Sequence, residues 1–121
     1  MRKILLVEDE PVLRETYLMI LSTQPYMCDY AENGKSALEK CQNNDYDLIL
    51  LDIMMPEMNG VEFLENAQDI ATITSKVIVM SNLSSGKEID RVYELGVQKS
   101  ILKSDTSPAQ LIATIRHHFD A

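Results

Sequence analysis

Several apolar runs in this sequence end on residues that can do chemistry. Glu8, Asp9 and Glu10 follow Ile4-Leu5-Leu6-Val7, and Asp52 follows Leu48-Ile49-Leu50-Leu51. Ser81 follows Val77-Ile78-Val79-Met80, and Lys103 follows the short run Ser100-Ile101-Leu102. Taken singly, each has an ordinary explanation. An acid or a serine after a strand is often a cap or turn residue, and a lone lysine there is often a solvated charge. The joint pattern carries more. Carboxylates gathered into one crevice raise each other's pKa and need a cation to be tolerated together. No histidine or cysteine is placed to ligate that cation, which argues against zinc. Magnesium fits, because it takes oxygen ligands, keeps several waters and typically uses one or two carboxylates plus a phosphate oxygen. Asp9 and Asp52 can supply the carboxylates, Glu8 can act through water, and the Met54 backbone carbonyl can complete the set. Phosphoryl transfer asks for little beyond an in-line nucleophile and neutralised charge on the transferring oxygens. Asp52 is the candidate nucleophile. Magnesium, the Lys103 ammonium and the Ser81 hydroxyl can each hold one phosphoryl oxygen.

These residues need elements to bring them together. Ile4 to Val7, Leu48 to Leu51 and Val77 to Met80 are continuous apolar runs without alternation, as expected of strands covered on both faces. Met27 to Ala31 and Ser100 to Leu102 are weaker strand candidates. Between them lie stretches with helix grammar. Pro11 suits a first-turn position, followed by Val12, Leu13, Tyr17, Ile20 and Leu21 at helical spacing. Asn33 can cap a helix burying Ala37, Leu38 and Cys41. Asn59-Gly60 opens another with Val61, Phe63, Leu64 and Ala67. Glu88 to Leu95 stops at Gly96, a C-terminal cap, and Ser107-Pro108 starts a last helix carrying Leu111, Ile112 and Ile115. Strand and helix alternate five times, which implies a parallel sheet with helices on both faces and right-handed crossovers. In such a sheet ligands bind beyond the carboxyl ends of the strands, where the strand order reverses. If the order is 2-1-3-4-5, that point brings Glu8, Asp9 and Asp52 into one crevice, flanked by Ser81 and Lys103. Of the methionines, Met19, Met27 and Met80 are expected in the core, with Met54, Met55 and Met58 lining the loop after Asp52.

Length and composition bound the alternatives. The 121 residues fit one domain, 1–121, with 45% hydrophobic and 25% charged residues, which is ordinary globular usage. Net charge is −8, from 19 acidic against 11 basic residues. Such a surface repels phosphate backbones and anionic lipid, so neither direct nucleic-acid binding nor membrane association is expected. Cys28 and Cys41 form no CxxC pair and read as idle thiols of a reducing compartment. No signal peptide or membrane-length apolar run is present, so the expected location is cytoplasmic. His117 and His118 are adjacent in the last helix and do not share a face, so they are read as solvated.

The run Leu51-Asp52-Ile53-Met54-Met55-Pro56-Glu57-Met58-Asn59-Gly60 closely resembles the third-strand loop of bacterial response-regulator receiver domains. Val7-Glu8-Asp9-Glu10 looks like their acidic pair, and Ser81 and Lys103 fall where the family has its hydroxyl and its lysine. The resemblance covers essentially the whole chain. It implies the flavodoxin-like (βα)5 fold with strand order 2-1-3-4-5, an order for which a receiver protein is itself a standard example. It also implies phosphorylation at Asp52 by a sensor histidine kinase or phosphotransfer protein, and a downstream protein partner or effector domain. No effector domain is expected within these residues. The resemblance also implies a self-catalysing phosphoacceptor rather than a turnover enzyme. Lys103 and Ser81 are expected to act on the switch, with truncation of either costing little stability.

Three positions depart from the family pattern: Ser104 replaces the usual proline after the lysine, Ser100 the usual aromatic, and Asn82 a smaller residue. They favour a rival reading, a pseudo-receiver interaction module that is not phosphorylated. The intact Glu8, Asp9, Asp52, Ser81 and Lys103 oppose it. A small-molecule phosphohydrolase lacks a second acid to activate water, and a flavin-binding protein would want a Ser/Thr/Gly-rich loop where Glu8-Asp9-Glu10 stands. With no ring at Ser100 to rotate, phosphorylation is expected to reorder mainly the Ser81-to-Gly86 segment.

Overall fold

A run of consecutive apolar residues has no polar side to turn to water, so it makes a stable strand only inside a sheet covered on both faces. The computed structural model describes residues 1–67, 69–82 and 86–120, and it meets that demand. Strands β1 (Arg2–Val7), β2 (Tyr26–Ala31), β3 (Leu48–Asp52), β4 (Val77–Ser81) and β5 (Lys99–Leu102) form one parallel sheet in the order β2-β1-β3-β4-β5. This is the flavodoxin-like order that the resemblance implied.

The pleat sorts each run into two cores. Leu5, Val7, Ile49, Leu51, Val77 and Val79 point to one face. There they meet Ala37 of α2 (Gly34–Asn43), Phe63 and Leu64 of α3 (Gly60–Asn66), and Ile89 and Val92 of α5 (Lys87–Glu94). Ile4, Leu6, Leu48, Leu50, Ile78 and Met80 point to the other. These pack on Leu21 of α1 (Pro11–Leu21) and on Leu111 and Ile115 of α6 (Pro108–Asp120). Each such side chain contributes roughly 1.5–3 kcal/mol on burial, and every residue of β3 is buried. Asp52 therefore ends a strand that is buried along its whole length and paired on both sides.

The helix starts follow the expected chemistry. Asn33 accepts from the Ser36 amide at 2.8 Å, and Ser107 and Gln110 exchange side-chain bonds with each other's amides across Pro108. Gly96 has φ 116°, and a Cβ there would lie 2.9 Å from Thr74 Oγ1, so only glycine closes that turn comfortably.

Five expectations need correction. A further short helix, α4 (Ile70–Thr74), precedes β4, so the crossover from β3 to β4 holds two helices. Val12 and Met19 lie on the outer side of α1, at 70% and 71% exposure, and are not core. Met27 is also exposed, because β2 is an edge strand and its outer positions meet water. Met55 is buried in the same core as Phe63 rather than lining the loop. His118 is half-buried, and burial lowers its pKa instead of leaving it solvated. Among the described residues no helix is long and apolar enough to cross a membrane.

Candidate active site

The first crossover, through α1, leaves β1 toward one face of the sheet, and α3 leaves β3 toward the other. Diverging connections open a crevice at the carboxyl ends of these neighbouring strands. Glu8, Asp9 and Asp52 meet there. Each offers a carboxylate oxygen, and these oxygens all lie within 4.8 Å of one another. Glu8 and Asp52 are buried and Asp9 is half-buried. Local bonds fix the first turn: Glu8 Oε1 accepts from the Glu10 amide at 3.3 Å, and the Glu10 carboxylate caps α1 by accepting from Val12 and Leu13. Asp52 Oδ1 accepts from the Met54 amide at 3.3 Å, which sets Met54 in the turn directly after it. Ser81 ends β4 and is buried.

Lys103 differs from expectation. Its ammonium lies 2.7 Å from Glu8 Oε2 and 3.1 Å from Asp52 Oδ2, with the side chain only 7% exposed. It is no surface lysine but the internal counter-ion of two buried acids, so its truncation is now expected to cost stability. A 3-10 turn over Lys103–Asp105 follows β5 and carries it inward.

Burial pushes the Glu8 carboxyl up from 4.5 to about 7, with the Asp52 charge adding to the rise and the Lys103 hydrogen bond opposing it. Burial likewise raises Asp52 above its ordinary value, against the pull of Lys103. Burial lowers Lys103, yet its bonds to Glu8 and Asp52 more than compensate and leave it raised. Between pH 4.5 and about 7 the folded metal-free protein therefore holds a proton on Glu8 that the unfolded chain has released. Stability must fall as pH rises through that window, and the penalty is complete above it. Melting in EDTA from pH 5 to 8 should show this decline, and Glu8→Gln should flatten it. An unchanged slope in Glu8→Gln would remove Glu8 as its source.

Capping and backbone bonds hold the loop after Asp52. Asn59 and Glu62 form a reciprocal capping box at the start of α3. The Gly60 amide donates to the Ile53 carbonyl at 2.9 Å. A Cβ on Gly60 would stand 2.6 Å from the Asp52 carbonyl oxygen and 2.9 Å from Ile53 Cα. Backbone cannot yield as a flexible side chain does, so Gly60→Ala should cost at least about 2 kcal/mol and displace Asp52. Its denaturation midpoint checks this, and a parent-like value would contradict it. Across the crevice mouth the Asn33 amide donates to Glu57, which sits at φ 65°, and the Gly34 amide donates to the Met58 carbonyl at 2.7 Å.

Two features escaped the sequence reading. The hydroxyl of Tyr93 on α5 shares a 2.5 Å hydrogen bond with Ser100, so the position without a ring is paired to a tyrosine from the neighbouring helix. Arg14 donates to the Glu8 carbonyl. Leu83, Ser84 and Ser85, within the segment expected to reorder, lie outside the described residues.

The sequence model of the family described as "Response regulator receiver domain" matches residues 4–116. The chain belongs to the response-regulator receiver domain family. This receiver domain is 38% identical over 118 residues to the transcriptional regulatory protein CpxR homolog of Haemophilus influenzae, covering 96% of the chain and 49% of that relative. It is similar in structure to a CheY-like receiver domain protein of Methanospirillum hungatei (TM-score 0.89, 27% identity, 99% and 94% of the two chains). Response regulator TrrA of Thermotoga maritima, solved in complex with Mg(2+)-BeF, is 30% identical with a TM-score of 0.83, covering 98% and 99% of the two chains. The chain spans about half the length of the curated relatives it matches. In this receiver domain the clustered donors are all carboxylate oxygens, two of them buried, and they suit a hard cation such as magnesium.

Proposed function

We propose that this receiver domain is a phosphorylation-switched signalling module that accepts a phosphoryl group on Asp52. The observation that carries the reading is the cluster of three carboxylate oxygens within 4.8 Å at the switch point, with Lys103 paired to Asp52 at 3.1 Å. A lone buried acid would be protonated and a poor nucleophile. Here Lys103 opposes that protonation and holds one oxygen of Asp52 in place.

Glu8, Asp9, Asp52 and the Met54 carbonyl would hold a magnesium ion, which supplies charge neutralisation for the transferring oxygens. The rest falls to the protein. A carboxylate oxygen of Asp52 attacks phosphorus in line, the bond from phosphorus to the donor breaks, and the donor leaves with its electron pair and takes a proton. Lys103 exchanges part of its pairing with Glu8 for a phosphoryl oxygen, and the Ser81 hydroxyl donates to another. The donor in the cell is a sensor histidine kinase or phosphotransfer protein, whose phosphohistidine releases its imidazole, a good leaving group, as the P–N bond breaks. The partner read out afterwards is a protein, either a separate one or an effector domain. The unphosphorylated pseudo-receiver is not favoured, because none of the chemistry-bearing residues is missing.

Intact-mass measurement tests the reading. Incubation with acetyl phosphate and magnesium should add one phosphoryl group per chain, and EDTA should prevent it. No added mass with magnesium, or equal addition in EDTA, would contradict it.

A further inference from the structure

Glu8 and Asp9 lie in the turn between β1 and α1, past the last residue of one element and before the first of the next. A turn that presents two carboxylates to a third acid is pushed open by their repulsion unless its backbone is held. Its carbonyls also need donors from elsewhere, since neither the sheet nor the helix ladder reaches them.

Arg14 supplies them. From near the start of α1, its Nη1 donates to the Glu8 carbonyl at 3.0 Å and reaches the Asp9 carbonyl at 3.5 Å. The guanidinium carbon lies 5.0 Å from the ring centroid of Tyr30 on β2. Lys40 faces the same ring and hydrogen-bonds the Tyr30 carbonyl, which fixes the platform from the side of α2. In a protein of net charge −8 an arginine has many carboxylates within reach, and Arg91 takes two of them. Among the described residues Arg14 forms no ion pair. Its charge is directed at two carbonyls and a ring.

We infer that Arg14 is a positioning residue of the cation site, holding the Glu8–Asp9 turn so that both carboxylates face Asp52, with Tyr30 as its platform. The inference rests on the cation reading proposed above. Arginine suits the task because a planar fork can bridge two acceptors while stacking on an aromatic face, which a lysine ammonium cannot do. Outer partners that orient metal ligands typically change affinity by about 10- to 100-fold when removed.

The test is magnesium titration of the metal-free full chain, followed by calorimetry, beside melting in EDTA. Arg14→Ala should weaken magnesium binding about tenfold or more, and Arg14→Lys should recover part of it. Tyr30→Phe keeps the ring and should bind as the parent does, whereas Tyr30→Leu should bind more weakly. Asp9→Ala is the control for the site itself. If Asp9→Ala loses magnesium while Arg14→Ala and Tyr30→Leu stay within about twofold of the parent, the inference is overturned. A lower melting temperature with unchanged affinity in Arg14→Ala overturns it equally, since that is a merely structural role. Parent-like binding by Asp9→Ala would instead sink the cation reading.

Discussion

Lys103→Ala is expected to destabilise the metal-free protein by about 3 kcal/mol at pH 8, on the scale of breaking a buried ion pair from one side. For a chain of this length that is roughly 10 °C in melting temperature. The reason is geometric. Lys103 is the cation that the buried Glu8 and Asp52 share, at 2.7 and 3.1 Å, and its loss leaves two acids facing each other in a site poor in water. A surface lysine would cost far less. The penalty should shrink at pH 5, because a protonated Glu8 no longer needs a counter-ion. It should also shrink in magnesium, which replaces the missing positive charge and stabilises the native state by mass action. Melting curves at both pH values, with EDTA and with magnesium, measure all of this. A variant that melts with the parent in EDTA at pH 8 would show the pair to be structurally idle.

That result would also bear on signalling. If Lys103 spans Glu8 and Asp52 before phosphorylation, it must give up part of that pairing to bind the phosphoryl group. A switch needs two states with different affinity for the ligand, and an ammonium shared between old and new partners supplies one such difference. The Tyr93–Ser100 bond offers another place where the two states can differ, since it ties α5 to β5, the strand that Lys103 follows.

The sheet was legible because its strands are buried on both faces. Runs such as Ile4 to Val7 and Leu48 to Leu51 have only one environment that suits them, and their order follows the resemblance. The carboxylate cluster was legible for a related reason: polar residues that end apolar runs collect at one edge of a parallel sheet. Val12, Met19 and Met27 were misjudged because periodicity counts apolar residues without knowing how many neighbours an element has. Helix α1 buries only Leu21 completely, and β2 has a strand on one side only. Helix α4 has five residues, less than two turns, too short for a 3.6-residue period to show. The Lys103–Glu8 pair joins residues 95 apart in sequence, and the Arg14 and Tyr93 bonds cross between elements. Local pattern carries no record of side-chain pairings of that kind.

The central claim is that Asp52 receives the phosphoryl group, and locating the group tests it most directly. An acyl phosphate can be reduced by borohydride to a stable alcohol, which marks the acceptor residue for peptide mass mapping. After incubation with acetyl phosphate and magnesium, the mark should fall on Asp52. It should be lost altogether in Asp52→Asn, where the amide is a poor nucleophile while the shape of the side chain is kept. Unchanged phosphorylation of Asp52→Asn, or a phosphoryl group found on Ser81 or any other residue of the parent, would contradict the account.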